Sequence, residues 1–450
     1  MDNELAVYAE LDGEYVVVGR ISSRAILDIN NQNICFKYDS SYLLRENAHS
    51  ISACLPLREE EFDPQTTQAF FEGLVPEGSM RRVLSNAFHV GSENYQQIIS
   101  RLNNESCGAL VFKADDEDPL AHREYEPIDF EQLAQLAKSP TAQALQFNTT
   151  SRLSLAGAQA KVGLYRAQPD SSTNLSSSCP SCFKSDDLTK GWFLPKGSAP
   201  STHIVKAADG TFPHLTINEA LCMLTAKHFG FEVAECELIR IEDEEPLLVI
   251  KRFDREAVFS SEFPKRLHQE DFCQASGLLP TWKYEPTDEN YVGRCASVIN
   301  AQSSNPFGDR AMFFSSILFD WACGNCDNHL KNHSLLWSAD WASKQLSPLY
   351  DITCTTIYPG LDREMGVSLC ASRRIDDVVL EDILAVAKRA GVPEKLAKSE
   401  LEELGDSFID AVRLAERDIL EQGFDAVTDI AEHIVCDFER RCLRVIRGVL

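Results

Sequence analysis

Apolar and polar residues alternate over positions 5–21, LAVYAELDGEYVVVGRI, with Asp12 and Gly13 between two runs of the same period. A period of two around an Asp-Gly pair predicts a β-hairpin. After Asp63-Pro64 the spacing becomes helical in TQAFFEGLVPEGSMRRVLSNAF, until an acidic, proline-containing run over 117–126 reads as a linker. An N-terminal α/β module is therefore expected over residues 1–118. SRLSLAGAQAKVGLYRA, from Ser151, reads as a strand, and the Ser- and Pro-rich interval 168–201 reads as a long inserted surface loop. Next come a predicted strand, STHIVKA, and a predicted helix, LTINEALCMLTAKHFG, apolar at 217, 220, 221 and 224 and closed by Gly230. CELIRI and PLLVIKRF predict further strands, and beyond Gln269 the period is almost wholly helical. Strands first and helices afterwards predict an α+β body with a small β-rich lobe at 150–268 and a large all-α lobe at 269–450.

Composition narrows the class. With 450 residues, 44% of them hydrophobic, the chain can bury two or three cores. No apolar run approaches the roughly 18 residues that span a bilayer, and the start, MDNELAVYAELDGEY, is acidic where a secretion signal is basic and then apolar. No membrane association is expected, and the location expected is the cytoplasm. The fifteen cysteines are odd in number and sit mostly in apolar runs, as at Cys222, Cys236, Cys273, Cys295, Cys436 and Cys442. Buried free thiols in a reducing compartment fit this better than a disulfide framework. The formal charge of -26 repels nucleic acid phosphates, so contact with DNA is expected only through a partner.

The stretch 323–333, CGNCDNHLKNH, carries two rival chemistries. Cys323, Cys326, His329 and His333 suggest a metal or redox site. A zinc site of this ligand set separates its pairs by about 12 residues, however, and here only Asp327 and Asn328 stand between Cys326 and His329. The rival is Asp327 with Asn332, followed by a strand-turn-strand pattern and then Asp351, which is the order of a base and two Mg²⁺ ligands in phosphoryl transfer. Such chemistry also needs a cation on the nucleotide phosphates. Lys206 ends a predicted strand, and Glu219 on the next helix is its candidate partner. SLAGAQAK, 154–161, offers Gly157 and Lys161 as a phosphate-covering loop, and Phe253 lies in the segment 251–254 expected to pass the adenine. Each residue also has a plain reading as a solvated or packed polar group. Cys179 and Cys182 leave open a zinc-binding or redox-sensing protein, and the same machinery would also serve a kinase with a small-molecule or non-toxic substrate.

The set SLAGAQAK, THIVK, NEALC, RFDR, QEDFCQ, Asp-x-His-x-Lys-Asn at 327–332 and PLYDI resembles the HipA-type serine/threonine-protein kinases, the toxins of HipA/HipB-type toxin-antitoxin modules. Upstream, FFEGLVPEGSMRR and SCGALVF resemble that family's N-terminal module. The resemblance implies a bilobal protein-kinase-like fold, use of ATP and Mg²⁺, and phosphorylation of a serine on a protein. In characterised members the target is an aminoacyl-tRNA synthetase, notably glutamate-tRNA ligase. It further implies a helix-turn-helix antitoxin of HipB type that carries the contact with DNA. Carried across residue by residue, it implies Asp327 as catalytic base, Asn332 and Asp351 as metal ligands, Lys206 on the phosphates, His329 near the nucleotide, Phe253 on the adenine side and Ser154 as the autophosphorylated serine.

Overall fold

The structure is a computed structural model that describes residues 4–11, 14–23, 34–102, 105–114, 117–152, 155, 159–167, 189–258 and 261–447. The expectations at Ser154, Gly157, Cys179 and Cys182 lie outside the described residues. The fold is α+β, in two compact units. The first comprises Met1–Thr211, Glu237–Glu270 and Trp337–Ala342; the second comprises Phe212–Cys236, Asp271–Leu336 and Ser343–Leu450.

In the first unit the expected hairpin forms from β1 (Glu4–Leu11) and β2 (Glu14–Ser23), paired antiparallel. With β3 (Ile34–Tyr38) and β4 (Leu110–Lys113) it makes a four-stranded sheet in the order β3-β2-β1-β4. The alternation read in the sequence buries Val7, Ala9 and Leu11. Asp63 caps the helix Pro64–Phe71 by accepting from the Thr66 N–H, and Pro64 needs no hydrogen bond in the first turn. That helix brings Phe71 to 5.3 Å from Phe36 in an aromatic core with Tyr38 and Phe62. Each such ring contributes roughly 1.5–3 kcal/mol on burial.

A six-stranded sheet completes the unit: β5 (Glu124–Pro127), β6 (Lys161–Arg166), β7 (Trp192–Lys196), β8 (His203–Lys206), β9 (Cys236–Ile239) and β10 (Leu247–Lys251), in the order β5-β7-β6-β8-β10-β9. Two sequence expectations change here. The end of the acidic run is no linker, because β5 pairs antiparallel with β7 and stacks Tyr125 on Tyr165 at 3.9 Å. The described end of the expected loop 168–201 contains β7, whose Trp192, Phe193 and Leu194 are buried. Three apolar residues in a row carry no period, so a short interior strand within a polar interval leaves little signal. Of the predicted strand from Ser151, Ser151 itself ends the helix Pro140–Ser151, and Lys161–Arg166 is extended.

The second unit is mainly helical. Its helix Leu215–Phe229 ends where predicted, on Gly230 at φ 111, a left-handed cap that favours glycine. Nearly every face of it is buried, and the aromatic at its end, Phe229, lies 5.9 Å from Phe319 of the helix Pro306–Cys323. Phe319 in turn meets Phe408 of the long helix Glu394–Glu421, and Phe408 meets Phe438 of the helix Val427–Arg447. A short hairpin, Ser334–Trp337 with Lys344–Leu346, interrupts the helices and forms the strand-turn-strand pattern expected between Asn332 and Asp351. Among the described residues no helix is long and apolar enough to cross a membrane.

Candidate active site

The loop that follows the helix Pro306–Cys323 starts at Gly324, whose φ of 82 lets the chain leave the helix while its N–H still bonds to the Asp320 carbonyl. Its polar groups are then satisfied one by one. Asn325 donates its side-chain amide to Asp320 Oδ1 at 2.8 Å and accepts the Asp327 N–H at 3.0 Å. The Cys326 N–H donates to Thr355 Oγ1 at 2.8 Å, and the Asp327 carbonyl accepts both the His329 N–H and Asn332 Nδ2 at 2.8 Å. Asn328 exchanges two side-chain hydrogen bonds with the backbone of Val367. Gly366 is needed beside it: a Cβ there would stand 2.8 Å from the His329 nitrogen and 2.9 Å from its Cα. The outcome is one exposed residue in the segment 321–337, and it is Asp327. Solvent thus reaches this buried, hydrogen-bonded loop at one carboxylate, whose Oδ1 also accepts from the Tyr284 hydroxyl at 2.6 Å.

The structure thus brings Asp327, His329 and Asn332 together in one loop. The Asn332 amide nitrogen is spent on Asp327, so its carbonyl oxygen is the atom left to present. Asp351, in the same unit, is partly exposed and left-handed at φ 61, a conformation that costs of order 1 kcal/mol outside glycine and clusters at functional sites. Its neighbour Tyr350 ties this region to the loop, donating to the Lys331 carbonyl at 2.9 Å and sharing a 2.5 Å hydrogen bond with Ser334. Lys331 itself is buried and paired with Asp271 at 3.1 Å. Beyond Asp351 the chain is held by Asn218, which exchanges hydrogen bonds with the Cys354 backbone and donates to the Tyr358 hydroxyl. Asn218 is fully buried and one residue before Glu219, which is also buried.

The four residues that suggested a metal face different surroundings. The Cys323 thiol meets Cys222 and Cys354, whereas Cys326 meets Thr355. His333 lies between Phe272 and Phe313, and burial alone pushes its pKa down to about 4. His329 packs its ring on Tyr284 at 5.1 Å. Burial raises the Cys326 thiol to about 11 and that of Cys354 to about 12, which leaves both protonated and unreactive near neutrality. Burial also pushes the Asp320 carboxyl up to about 7, against the hydrogen bonds from Asn325 and Asn328. Among the described residues no three His, Cys, Asp or Glu side chains form a cluster able to hold a metal.

The other expected residues lie in the first unit, apart from Glu219. Lys206 is the buried last residue of β8 and stands directly opposite Lys161 in the β6–β8 register. Directly opposed positions share a face, so two ammonium groups there favour an anion beside them. Phe253 follows β10, and the residues on either side of it are engaged in the protein's interior. Arg252, Asp254 and Arg255 are fully buried in an ion network with Glu105, with Arg252 on Asp254 at 2.7 Å and Arg255 on Glu105 at 2.9 Å. Asp254 also accepts the Gly108 N–H at 2.8 Å. The motif RFDR therefore ties the segment 105–108 to the end of β10.

Sequence reasoning missed Asn218, Tyr284, Asp320, Asn325 and Gly366. Only Asn325 and Asn218 lay inside stretches it had singled out, and none has a role that spacing alone reveals. Comparison with known proteins bears on the whole chain. Residues 153–412 match the HipA-like C-terminal domain and residues 16–113 match the HipA N-terminal domain. A putative kinase of Sinorhizobium fredii, Y4mE, is 31% identical over 88% of this chain and 89% of its own. The serine/threonine-protein kinase toxin HipA of Shewanella oneidensis is 24% identical over 79% of this chain and 78% of its own. The solved complex of Shewanella oneidensis HipA with HipB and operator DNA contains a chain that superposes with TM-score 0.79 at 22% identity, over 98% of this chain and 97% of that one.

Proposed function

The chain belongs to the HipA family and is a protein kinase of that type, and from this premise we propose an ATP- and Mg²⁺-dependent serine/threonine kinase that acts as the toxin of a toxin-antitoxin module. The observation that carries the reading is Asp327, exposed on a loop whose every neighbour is buried and hydrogen-bonded. A base must reach an acceptor hydroxyl without losing its position, and a rigid loop with one wet carboxylate meets both needs.

ATP would supply the phosphoryl group, and Mg²⁺, when bound, would supply positive charge against the developing phosphate charge. Asn332 and Asp351 are the proposed metal ligands, each with a hard oxygen to offer, and the engaged amide nitrogen of Asn332 selects its carbonyl for that task. Lys206 and Lys161, opposed across β6 and β8, would bind phosphate, with Gly157 in the covering loop, His329 beside the nucleotide and Phe253 on the adenine side. Glu219 is the proposed partner of Lys206. Ser154 is the proposed autophosphorylation site. The proposed protein target is an aminoacyl-tRNA synthetase such as glutamate-tRNA ligase. The proposed inhibitor is a helix-turn-helix antitoxin of HipB type, and with a formal charge of -26 the chain would meet DNA only through it.

The test is transfer from γ-labelled ATP to the full-length protein, alongside growth on induced expression. Asp327→Asn keeps the loop's backbone bonds and is expected to lose at least about a hundredfold in transfer rate and to abolish growth arrest. Transfer by that variant at the wild-type rate removes the assignment. Phosphoproteomics of cells expressing wild type against Asp327→Asn would then identify the target serine.

A further inference from the structure

Asp327 is pinned at its backbone on both sides: its N–H is held by Asn325, and its carbonyl by His329 and Asn332. That leaves the two side-chain torsions of an exposed carboxylate, and a freely turning carboxylate is a poor base because little of its population faces the acceptor. The phenol of Tyr284 donates to Asp327 Oδ1 at 2.6 Å. This is the length of a strong O–H hydrogen bond to a charged oxygen.

The placement of Tyr284 is built and not incidental. The residue is 48% exposed, yet the backbone around it is clamped. The Lys283 carbonyl accepts the Leu330 N–H at 3.1 Å, and the Glu285 N–H donates to the Gly366 carbonyl at 2.8 Å. Arg373 donates to the Glu285 carbonyl, and the Glu285 carboxylate holds the Tyr291 N–H and both the N–H and hydroxyl of Ser368. The tyrosine ring stands edge-on to His329 at 5.1 Å, inside the same loop. The clamped residues on either side hold the backbone of this half-exposed tyrosine in place.

We propose that Tyr284 is a positioning residue for phosphoryl transfer, holding Asp327 by Oδ1 so that Oδ2 is presented to the acceptor hydroxyl. This rests on Asp327 being the base. In the step so arranged, the acceptor oxygen forms its bond to the γ-phosphorus while its proton passes to Asp327 Oδ2. The bond from the γ-phosphorus to ADP breaks with its electron pair leaving on ADP.

Tyr284→Phe keeps the ring and its contact with His329 and removes only the hydroxyl, so the experiment compares wild type, Tyr284→Phe, Asp327→Asn and the double variant as full-length proteins. Each is followed for transfer from γ-labelled ATP to its own chain, with the ATP concentration at half-maximal rate measured in parallel. The expected result for Tyr284→Phe is a maximal rate lower by roughly tenfold or more with half-saturation by ATP unchanged. In the Asp327→Asn background the same substitution is expected to change nothing further, because the two groups act as one. A wild-type or faster rate in Tyr284→Phe, or a loss confined to ATP saturation, overturns the positioning role while leaving an inactive Asp327→Asn to support the base. Full transfer by Asp327→Asn, or none by the wild type, overturns the base and Tyr284 with it.

Discussion

Asp320 is buried two hydrogen bonds from the Asp327 backbone, through Asn325, and it keeps its proton to about pH 7 because burial disfavours the charge. An unfolded chain would release that proton near pH 4. The carboxyl therefore contributes fully to stability below pH 4, and its contribution is lost as pH rises through about 7. Ionising it in place costs on the order of a few kcal/mol. Asp320→Asn copies the neutral acid and keeps an acceptor for Asn325. The variant is expected to exceed the wild type in thermal midpoint by a margin that grows from pH 5 to pH 8.5; an offset that does not change with pH would refute the assignment. Of the neighbouring residues, Asp327 and Asn332 could be singled out in the sequence because the spacing that proposes them is local. Asp320 and Tyr284 were not, because their roles come from contacts that no period encodes: Tyr284 lies 43 residues from the carboxylate it holds.

At the scale of elements, the loop depends on a neighbour that offers no side chain. Gly366 lies where a Cβ would meet the His329 nitrogen and Cα and the Asn328 carbonyl carbon, all within 3.0 Å and all backbone. Backbone atoms cannot rotate aside, so Gly366→Ala must push the segment 363–367 off the loop. The Gly366 carbonyl also accepts from Glu285, so the shift would carry Tyr284 with it. A loss of about 1–3 kcal/mol in stability is expected, together with a larger loss of transfer rate than stability alone explains. Unchanged transfer in a folded Gly366→Ala protein would show that the loop tolerates displacement. Elements with strong local signals were read correctly: the hairpin β1–β2 has its turn pair, and the helix Leu215–Phe229 has its period and its closing glycine. The edge strand β5 and the strand β7 were not. Tyr125 and Trp192 are held by partners across the sheet, and the polar residues around them carry the sequence signal of a loop.

At the scale of the molecule, the first unit joins its four-stranded and six-stranded sheets through charge as well as through apolar packing. Glu105, just before β4, receives Arg255 at 2.9 Å and Arg252 at 3.4 Å and accepts the Ser201 N–H at 2.8 Å. Arg266, equally buried, donates to the Tyr15 hydroxyl from β2 and to the Ser198 carbonyl. The arginines beside Glu105 and Asp254 hold both carboxyls below their ordinary range despite full burial. The ion pairing of RFDR was not legible in the sequence, because its partner Glu105 lies 147 residues from Arg252 and leaves no trace in local pattern. A buried pair of this kind adds little compared with an apolar contact, but breaking it strands a charge and costs roughly 3–5 kcal/mol. Glu105→Ala leaves Arg255 and Arg252 short of a counter-ion, whereas Glu105→Gln still offers an acceptor to the Ser201 N–H and loses only the charge. The expected order of denaturant midpoints is wild type, then Glu105→Gln, then Glu105→Ala. Equal midpoints for wild type and Glu105→Ala would mean that water reaches the network on the timescale of unfolding and that apolar packing alone joins the two sheets.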